Sequence, residues 1–193
     1  MSYNAKQRKK EKEIAKFNTT YPCEAPDGYM PQSEEEVKER EDTVAHIHRV
    51  REIMSLIGHQ LQERAENHDL WKLSEKELPY FTKAKKLKGM TYGTEEYKEA
   101  LKDLDKALPH HYSKYRHHPE FHENGIDDMT LVDLVEMSCD WLAASERHAD
   151  GNIFDSINHN KKRFKMSKRL CRVFWNTARK CFGKRPGERE LDE

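Results

Sequence analysis

The sequence has no long apolar run, few cysteines and no excess of charge of either sign. Its 193 residues are 35% hydrophobic and 36% charged. The longest apolar stretches fall far short of the roughly 20 residues that a membrane-spanning helix needs. The start of the chain lacks the charged, apolar and small-residue succession of a secretory signal. We therefore expect a cytoplasmic protein with no membrane partner.

The cysteines and the charge balance exclude further classes of protein. The four cysteines form no C-x-x-C pair and are too few for a disulfide scaffold, so we expect reduced thiols. Lys plus Arg and Asp plus Glu each number 35. This balance argues against general nucleic-acid binding, which usually leaves a basic excess. Histidine is the compositional outlier, with 11 residues.

Apolar residues at three- and four-residue spacing predict helices through most of the chain. The clearest stripe, which we expect to form one buried face, comprises Val37, Val44, Ile47, Val50, Ile53, Met54, Ile57 and Leu61. Further helices are predicted over about 75–86, 94–108, 130–145, 154–164 and 167–181. Strand-like alternation is not convincing anywhere, so the predicted fold class is all-α, a helical bundle.

The two ends of the chain differ from this helical part. Residues 1–17 are highly charged, and residues 18–32 hold three prolines and a glycine. We therefore predict that residues 1–32 are a charged tail followed by a Pro-rich linker. The helical domain is predicted over 33–183, with Ser33 as the first N-cap, Glu36 at the capping-box position and Gly183 as a stop signal. Residues 184–193 are predicted to be a C-terminal tail.

Histidine and aspartate are concentrated in five places in this helical part. They are His46, the adjacent His68 and Asp69, the pairs His110-His111 and His117-His118, and Asp140. Imidazole and carboxylate together suit manganese, iron, cobalt, nickel or zinc. Asp140 lies in the most apolar helix, where an ionised carboxylate needs a cation, a hydrogen-bond network or an exposed position. The pattern predicts a metal site, with a buried salt bridge of Asp140 as the alternative.

Four of these stretches resemble the HD superfamily of metal-dependent phosphohydrolases. They are HIHRV at 46–50, HDLWK at 68–72, HHPEFHENG at 117–125 and LVDLVEMSCDWLAAS at 131–145. Residues from about 40 to 180 also look like an uncharacterised family of phage and bacterial proteins, through segments such as YGTEEYKEAL and RHADGNIFDSINHNKKRF. The resemblance implies an HD-domain-like helical bundle with a charged N-terminal extension. If the protein is phage-encoded, its location would be the host cytoplasm.

The resemblance also implies roles for individual residues. One or two divalent ions would be bound, the first by His46 (with His48 as the alternative), His68, Asp69 and Asp140, and the second by His111, His117 and His118. Lys72 matches the lysine of the HD-x-x-K motif and would neutralise a bound phosphate, while Asp69 would accept the proton of the attacking water. Further cations expected to bind the substrate are Arg116, Arg147 and Arg163. Two residues depart from the family pattern, namely Trp71, which would narrow the site or stack on a base, and Tyr115, which stands where an Asn is expected.

The implied function is hydrolysis of a nucleotide or a small phosphorylated signal by a metal-activated water. The alternatives are a di-iron HD-fold oxygenase and a non-catalytic protein that sequesters a nucleotide. A third rival, the all-α nucleotide pyrophosphohydrolases, has paired acidic motifs that Asp133, Glu136 and Asp140 match poorly, and Glu136 would instead orient a ligand histidine. The basic stretch 161–172 is expected to be a solvated helix face or the entrance for an anionic substrate. A homo-oligomer is a further expectation.

Overall fold

The computed structural model describes residues 23–85, 95–147 and 151–183, and within these residues it contains helices and no strand. The α-helices are α1 (Glu34–Asn67), α2 (Leu78–Lys85), α3 (Glu95–Tyr112), α4 (Leu131–Ser145), α5 (Ile153–Arg163) and α6 (Lys168–Lys180). Short 3-10 turns occupy Leu70–Leu73, Pro119–Phe121 and Gly125–Asp128. The predicted all-α fold class is confirmed. In the described part of the chain, no helix has both the length and the apolar character needed to cross a bilayer.

The chain divides into two compact units, Met1–Glu63 and Arg64–Glu193. The first unit contains most of α1. The predicted N-cap is confirmed, because the Ser33 hydroxyl accepts the Glu36 backbone N–H at 3.2 Å. The Glu36 carboxylate reaches one residue further back than a capping box requires and accepts the Gln32 N–H at 2.6 Å.

The apolar stripe of α1 differs from the prediction. No residue of α1 is buried, and Met54 is 65% exposed. The other members of the stripe that are exposed are Val37, Val50, Ile53 and Ile57. The expectation of one buried face on this helix was therefore wrong. Spacing of three and four residues defines an apolar stripe, but it carries no information about what covers that stripe.

The hydrophobic core of the second unit lies between α4, α5 and α6. Its buried members are Met137, Ile153, Phe154, Ile157, Met166, Cys171, Phe174, Trp175 and Ala178. The rings of Phe154 and Trp175 pack with their centroids 4.4 Å apart. Helix α4 packs against α5, and α5 packs against α6. This core holds α4 in place, and α4 is the helix that carries Glu136 and Asp140.

Local capping signals set the starts of these helices. Thr130 and Asp133 form a capping box at the start of α4, with both reciprocal hydrogen bonds present. Ser167 caps α6 by accepting the Leu170 N–H, and Asn152 caps α5 by accepting the Phe154 N–H. Each of these bonds satisfies a backbone donor that the first turn would otherwise leave without a partner.

The middle helices depart from their predicted limits. Helix α2 begins at Leu78, after a separate 3-10 turn, rather than at residue 75. Helix α3 runs through Pro109 to Tyr112 and packs against α2. Proline at this position removes one donor near the end of the helix, and the helix continues for three more residues. The extension places His110 and His111 on the last turn of α3. Residue 94, where the sequence predicted that α3 begins, lies outside the described residues.

Candidate metal centre

Imidazole nitrogens and carboxylate oxygens from four segments of the second unit converge on one place. His68 Nε2 lies 3.4 Å from Asp69 Oδ2 and 3.6 Å from Asp140 Oδ1. His111 Nε2 and His117 Nε2 lie 3.4 Å and 3.8 Å from Asp69 Oδ1. Two atoms that bind one ion tetrahedrally at about 2.1 Å are about 3.4 Å apart. The spacing therefore matches that of ligand atoms around a shared metal ion.

Asp69 belongs to two overlapping groups of potential ligands. His68, Asp69 and Asp140 form one group, and Asp69, His117 and His118 form another, with the ligand atoms of each group within 4.8 Å of one another. A third group comprises His68, His117 and Glu136. His111 joins the second position, because its Nε2 lies 2.9 Å from that of His118. The first two groups could each hold a cation, and they share the Asp69 carboxylate.

The backbone of Asp69 has a left-handed conformation, and its carboxylate forms an ion pair with Lys72. Its φ of 57° and ψ of 16° lie in the left-handed region, where aspartate is tolerated better than most residues other than glycine. The Lys72 ammonium lies 2.5 Å from Asp69 Oδ2. Lys72 is therefore the positive charge closest to the carboxylate that the two cation positions share.

Two buried glutamates orient the histidine rings from behind. Glu136 Oε1 accepts a hydrogen bond from His68 Nδ1 at 2.9 Å and lies 3.0 Å from His117 Nδ1, without hydrogen-bond alignment. Glu77, which is fully buried, accepts from His111 Nδ1 at 3.0 Å. An ionised carboxylate can only accept, so Nδ1 of His68 and His111 carries the proton. Nε2 of each ring then faces the cluster. It would bind a metal ion after His68 loses its second proton and His111 loses its hydrogen bond with His118, as in carboxylate–histidine–metal sites.

Glu136 has the orienting role that the sequence indicated, whereas Glu77 was missed. Glu77 also contacts His110, with Oε1 at 2.7 Å from His110 Nδ1. It stands in the unremarkable segment SEKELPY between the 3-10 turn and α2. No motif marks this position, and its role becomes visible only when α2 packs against α3.

Three arginines of the second unit form ion pairs with carboxylates. Arg64 donates to Glu136 at 2.9 Å and also binds Asp133. Arg116 donates to both oxygens of Asp133 at 3.3 Å. Arg163 binds Glu120 at 2.6 Å and the Tyr112 hydroxyl at 3.2 Å.

The three arginines predicted to bind substrate differ in their contacts within the protein. Arg116 and Arg163 each have a carboxylate partner within the protein. Arg147 is exposed, two residues beyond the end of α4. Their predicted contact with a substrate remains a prediction. Lys72 is the predicted cation that directly contacts a candidate ligand, Asp69.

The pKa values show how strongly these groups interact. Hydrogen bonds with Asp140 and Glu136 raise the pKa of His68 from 6.5 to about 10. Burial, together with neighbouring His117 and His111, lowers the pKa of His118 to about 2. Burial pushes the pKa of Asp140 upward, but the hydrogen bond with His68 and the charge of Lys72 outweigh it and hold that pKa at about 2. The cluster therefore contains an ionised carboxylate and a neutral imidazole at neutral pH.

Atoms without partners test whether a metal ion fits this cluster. Asp69 Oδ1 and His117 Nε2 are buried and have no hydrogen-bond partner. Leaving such a group unsatisfied costs about 1–3 kcal/mol, and the two atoms lie 3.8 Å apart within one of the ligand groups. A set of imidazole nitrogens and carboxylate oxygens is the one that manganese, iron, cobalt, nickel and zinc prefer. The residues present therefore fit a divalent transition metal.

Six of the seven ligands predicted from the sequence lie together in this cluster. They are His68, Asp69, His111, His117, His118 and Asp140. His46 is exposed on α1 in the first unit and occurs in none of the ligand groups found among the described residues. Its predicted role, and that of its alternative His48, therefore gains no support from the structure.

The two residues that depart from the HD pattern lie beside the cluster. The Tyr115 hydroxyl accepts the Trp71 backbone N–H at 2.5 Å, and the Tyr115 ring lies 5.0 Å from that of His111. Tyr115 thus anchors the turn that carries Asp69 and Lys72. Trp71 is 40% exposed, and the Lys114 ammonium lies 5.3 Å from its ring centroid.

Comparison with known proteins places this cluster within a family. A model described as "Family of unknown function (DUF5662)" matches residues 35–180, a range that includes all six clustered ligands. No curated protein and no solved structure matches the chain. Since the family model covers well over half of the sequence, the chain belongs to the DUF5662 family of unknown function.

Proposed function

We propose that this protein is a metal-dependent phosphohydrolase that acts on a nucleotide or another small phosphorylated compound. The observation that carries the proposal is the position of Asp69, which two ligand groups share and which Lys72 contacts. A carboxylate between two cation positions, with an ammonium group beside it, suits a reaction in which negative charge develops on a phosphoryl group.

The residues of the cluster would bind the metal ions, contact the phosphate and orient the histidine rings. When bound, divalent ions would act as Lewis acids and lower the pKa of water at the site. His68, Asp140, His117 and His118 would hold them, with Asp69 between. Lys72 would leave Asp69 to contact the phosphate, and its side chain is 31% exposed, which leaves it accessible from solvent. Glu136 and Glu77 would keep the histidine rings in the orientation that ligation needs.

Elemental analysis together with a phosphatase assay tests this proposal. The purified protein would be loaded separately with manganese, iron, cobalt, nickel or zinc, and phosphate release would be followed with nucleoside monophosphates and an aryl phosphate. We expect bound metal and phosphate release from the wild type. Asp69→Ala and His68→Ala should lose both, whereas His159→Ala, which removes an exposed histidine on α5, should retain both. A wild type that takes up none of these metals would refute the proposal.

The nitrogen-rich ligand set supports a second candidate, a di-iron oxygenase. Four histidines line the two cation positions, and imidazole suits iron as well as zinc. Iron content and substrate-dependent oxygen consumption distinguish this candidate from the hydrolase. If the protein instead only sequesters a nucleotide, mass spectrometry after denaturation would recover the ligand unchanged.

A further inference from the structure

The exposed face of α6 carries positive charge alone. Residues 161–180 contain nine Lys or Arg and no Asp or Glu. Five of these cations, all exposed, lie on α6, namely Lys168, Arg169, Arg172, Arg179 and Lys180. At about 100° per residue they occupy a sector of about 120° on the helix. The opposite side of α6 is buried in the core through Cys171, Phe174, Trp175 and Ala178.

This arrangement is unfavourable for the free protein. Lys168 and Arg169 lie in the first turn of α6, which has no acidic residue, although the positive end of the helix dipole favours anions there. Lys168 and Arg172 are like charges four residues apart, which destabilises a helix. Within the described residues, no salt bridge joins any of the five cations to a carboxylate. Arg179 and Lys180 lie in the last turn, where the helix dipole favours cations. Helix stability does not explain Lys168, Arg169 and Arg172, whereas an anionic partner would offset their repulsion.

The shape and chemistry of the face favour one kind of partner. The five cations extend over about 18 Å of helix, at 1.5 Å per residue, which is far longer than a single phosphate. Three of them are arginines, whose guanidinium groups match phosphate oxygens. A membrane surface fits less well, because interfacial helices bury bulky apolar residues in the lipid. On α6 those residues are in the protein core, and the exposed face adds only Val173 as an apolar side chain.

We propose that the basic face of α6, defined by Lys168, Arg169, Arg172, Arg179 and Lys180, binds the phosphate backbone of a nucleic acid without reading its sequence. Along about 18 Å of duplex axis there are about ten phosphates, at one per 1.7 Å. The formal net charge is zero because acidic residues elsewhere in the sequence balance the positive charge of this face. The whole-chain balance therefore does not exclude nucleic-acid binding at this one helix. The proposal is independent of the metal centre.

Fluorescence anisotropy tests the proposal with labelled single-stranded DNA, single-stranded RNA and duplex DNA. Binding would be measured from about 50 to 200 mM salt, a range in which several phosphate contacts produce a steep loss of affinity. The test variant is K168Q/R172Q/R179Q. The matched control removes three exposed lysines elsewhere, as K38Q/K76Q/K102Q.

We expect the wild type to bind, with a logarithm of affinity that falls linearly with the logarithm of salt concentration. The test variant should lose at least tenfold in affinity, and its salt slope should be smaller by about 2–3 for three lost phosphate contacts. Its thermal midpoint should equal or exceed that of the wild type, because repulsion within α6 has been removed. The control should bind as the wild type does.

Three results would overturn the proposal. The wild type could fail to bind any of the three nucleic acids at low salt. The test variant and the control could lose the same affinity, which would show that only total charge matters. The wild type could bind vesicles containing phosphatidylserine and none of the nucleic acids, which would identify a membrane surface instead.

Discussion

Replacement of Glu136 by glutamine should weaken metal binding without removing a ligand. One oxygen of Glu136 accepts from His68 Nδ1 at 2.9 Å and lies 3.0 Å from His117 Nδ1. The other accepts from Arg64 at 2.9 Å. Glutamine has nearly the same shape, but its NH2 group must face either the imidazole nitrogens or the arginine. In either orientation a donor meets a donor, so Glu136→Gln can no longer satisfy both Arg64 and the imidazole nitrogens, and the support of the His68 and His117 rings is weakened.

The size of the effect follows from the number of rings involved. Loss of an outer carboxylate that orients a metal-binding histidine typically costs about 10–100-fold in metal affinity. Since Glu136 contacts two histidines, we expect about 100-fold, which corresponds to about 2.8 kcal/mol at 1.4 kcal/mol per tenfold. A Glu120→Gln variant is the matched control, because this carboxylate binds Arg163.

Competition titration against a chromophoric zinc chelator measures the affinity of both variants. Circular dichroism and the urea midpoint would show that Glu136→Gln is folded. Should Glu136→Gln bind metal as tightly as the wild type while His68→Ala does not bind, Glu136 would have no part in orienting the histidines, and the tautomers inferred above would be wrong.

Three further predictions concern His68 and the core. Metal uptake at neutral pH should release about one proton from His68, because its pKa of about 10 keeps it protonated without metal. Calorimetry in buffers of different ionisation enthalpy measures this release, and metal uptake by the wild type without proton release would contradict the assignment. In metal-free protein, that raised pKa contributes stability that is fully present below pH 6.5 and is lost as the pH rises through about 10. Urea midpoints across this range should fall more steeply for the wild type than for His68→Gln, and parallel curves would contradict this. Phe154→Ala, in the core, should lower the free energy of unfolding measured in urea by about 3–5 kcal/mol. The control Val173→Ala, at an exposed position, should change it by no more than about 0.5 kcal/mol. A small loss for Phe154→Ala would show that the core repacks.

Helix starts were predicted well where the signal is local. Ser33, Thr130 and Ser167 each cap a helix through a hydroxyl that accepts a backbone N–H three residues ahead. Such a bond depends on residues that are neighbours in the chain, so it can be read from the sequence. Helix ends were less well predicted, as α3 continues past Pro109, because packing against α2 supports a turn that local preference would end.

The candidate ligands stood out in the sequence by residue type, and the resemblance to the HD superfamily implied how they would group. His68 and Asp69 stand side by side, and Asp140 is an acidic residue in an apolar helix, so both were conspicuous in the sequence. Glu77 was not, because its importance lies in contacts with histidines 33 and 34 positions away. His46 fits the same sequence pattern and occurs in none of the ligand groups among the described residues, so its role stays a prediction.

The sequence by itself determined that the chain is helical, where several helices begin, and that imidazoles and carboxylates are abundant at spaced positions. These properties depend on backbone hydrogen bonds and side-chain chemistry within a few residues. Tertiary structure alone decided that Asp69 is shared by two ligand groups, that Glu77 holds the His111 ring, and that the stripe of α1 is exposed. Each of these depends on distances between segments far apart in the chain, and those distances are set by how the helices pack.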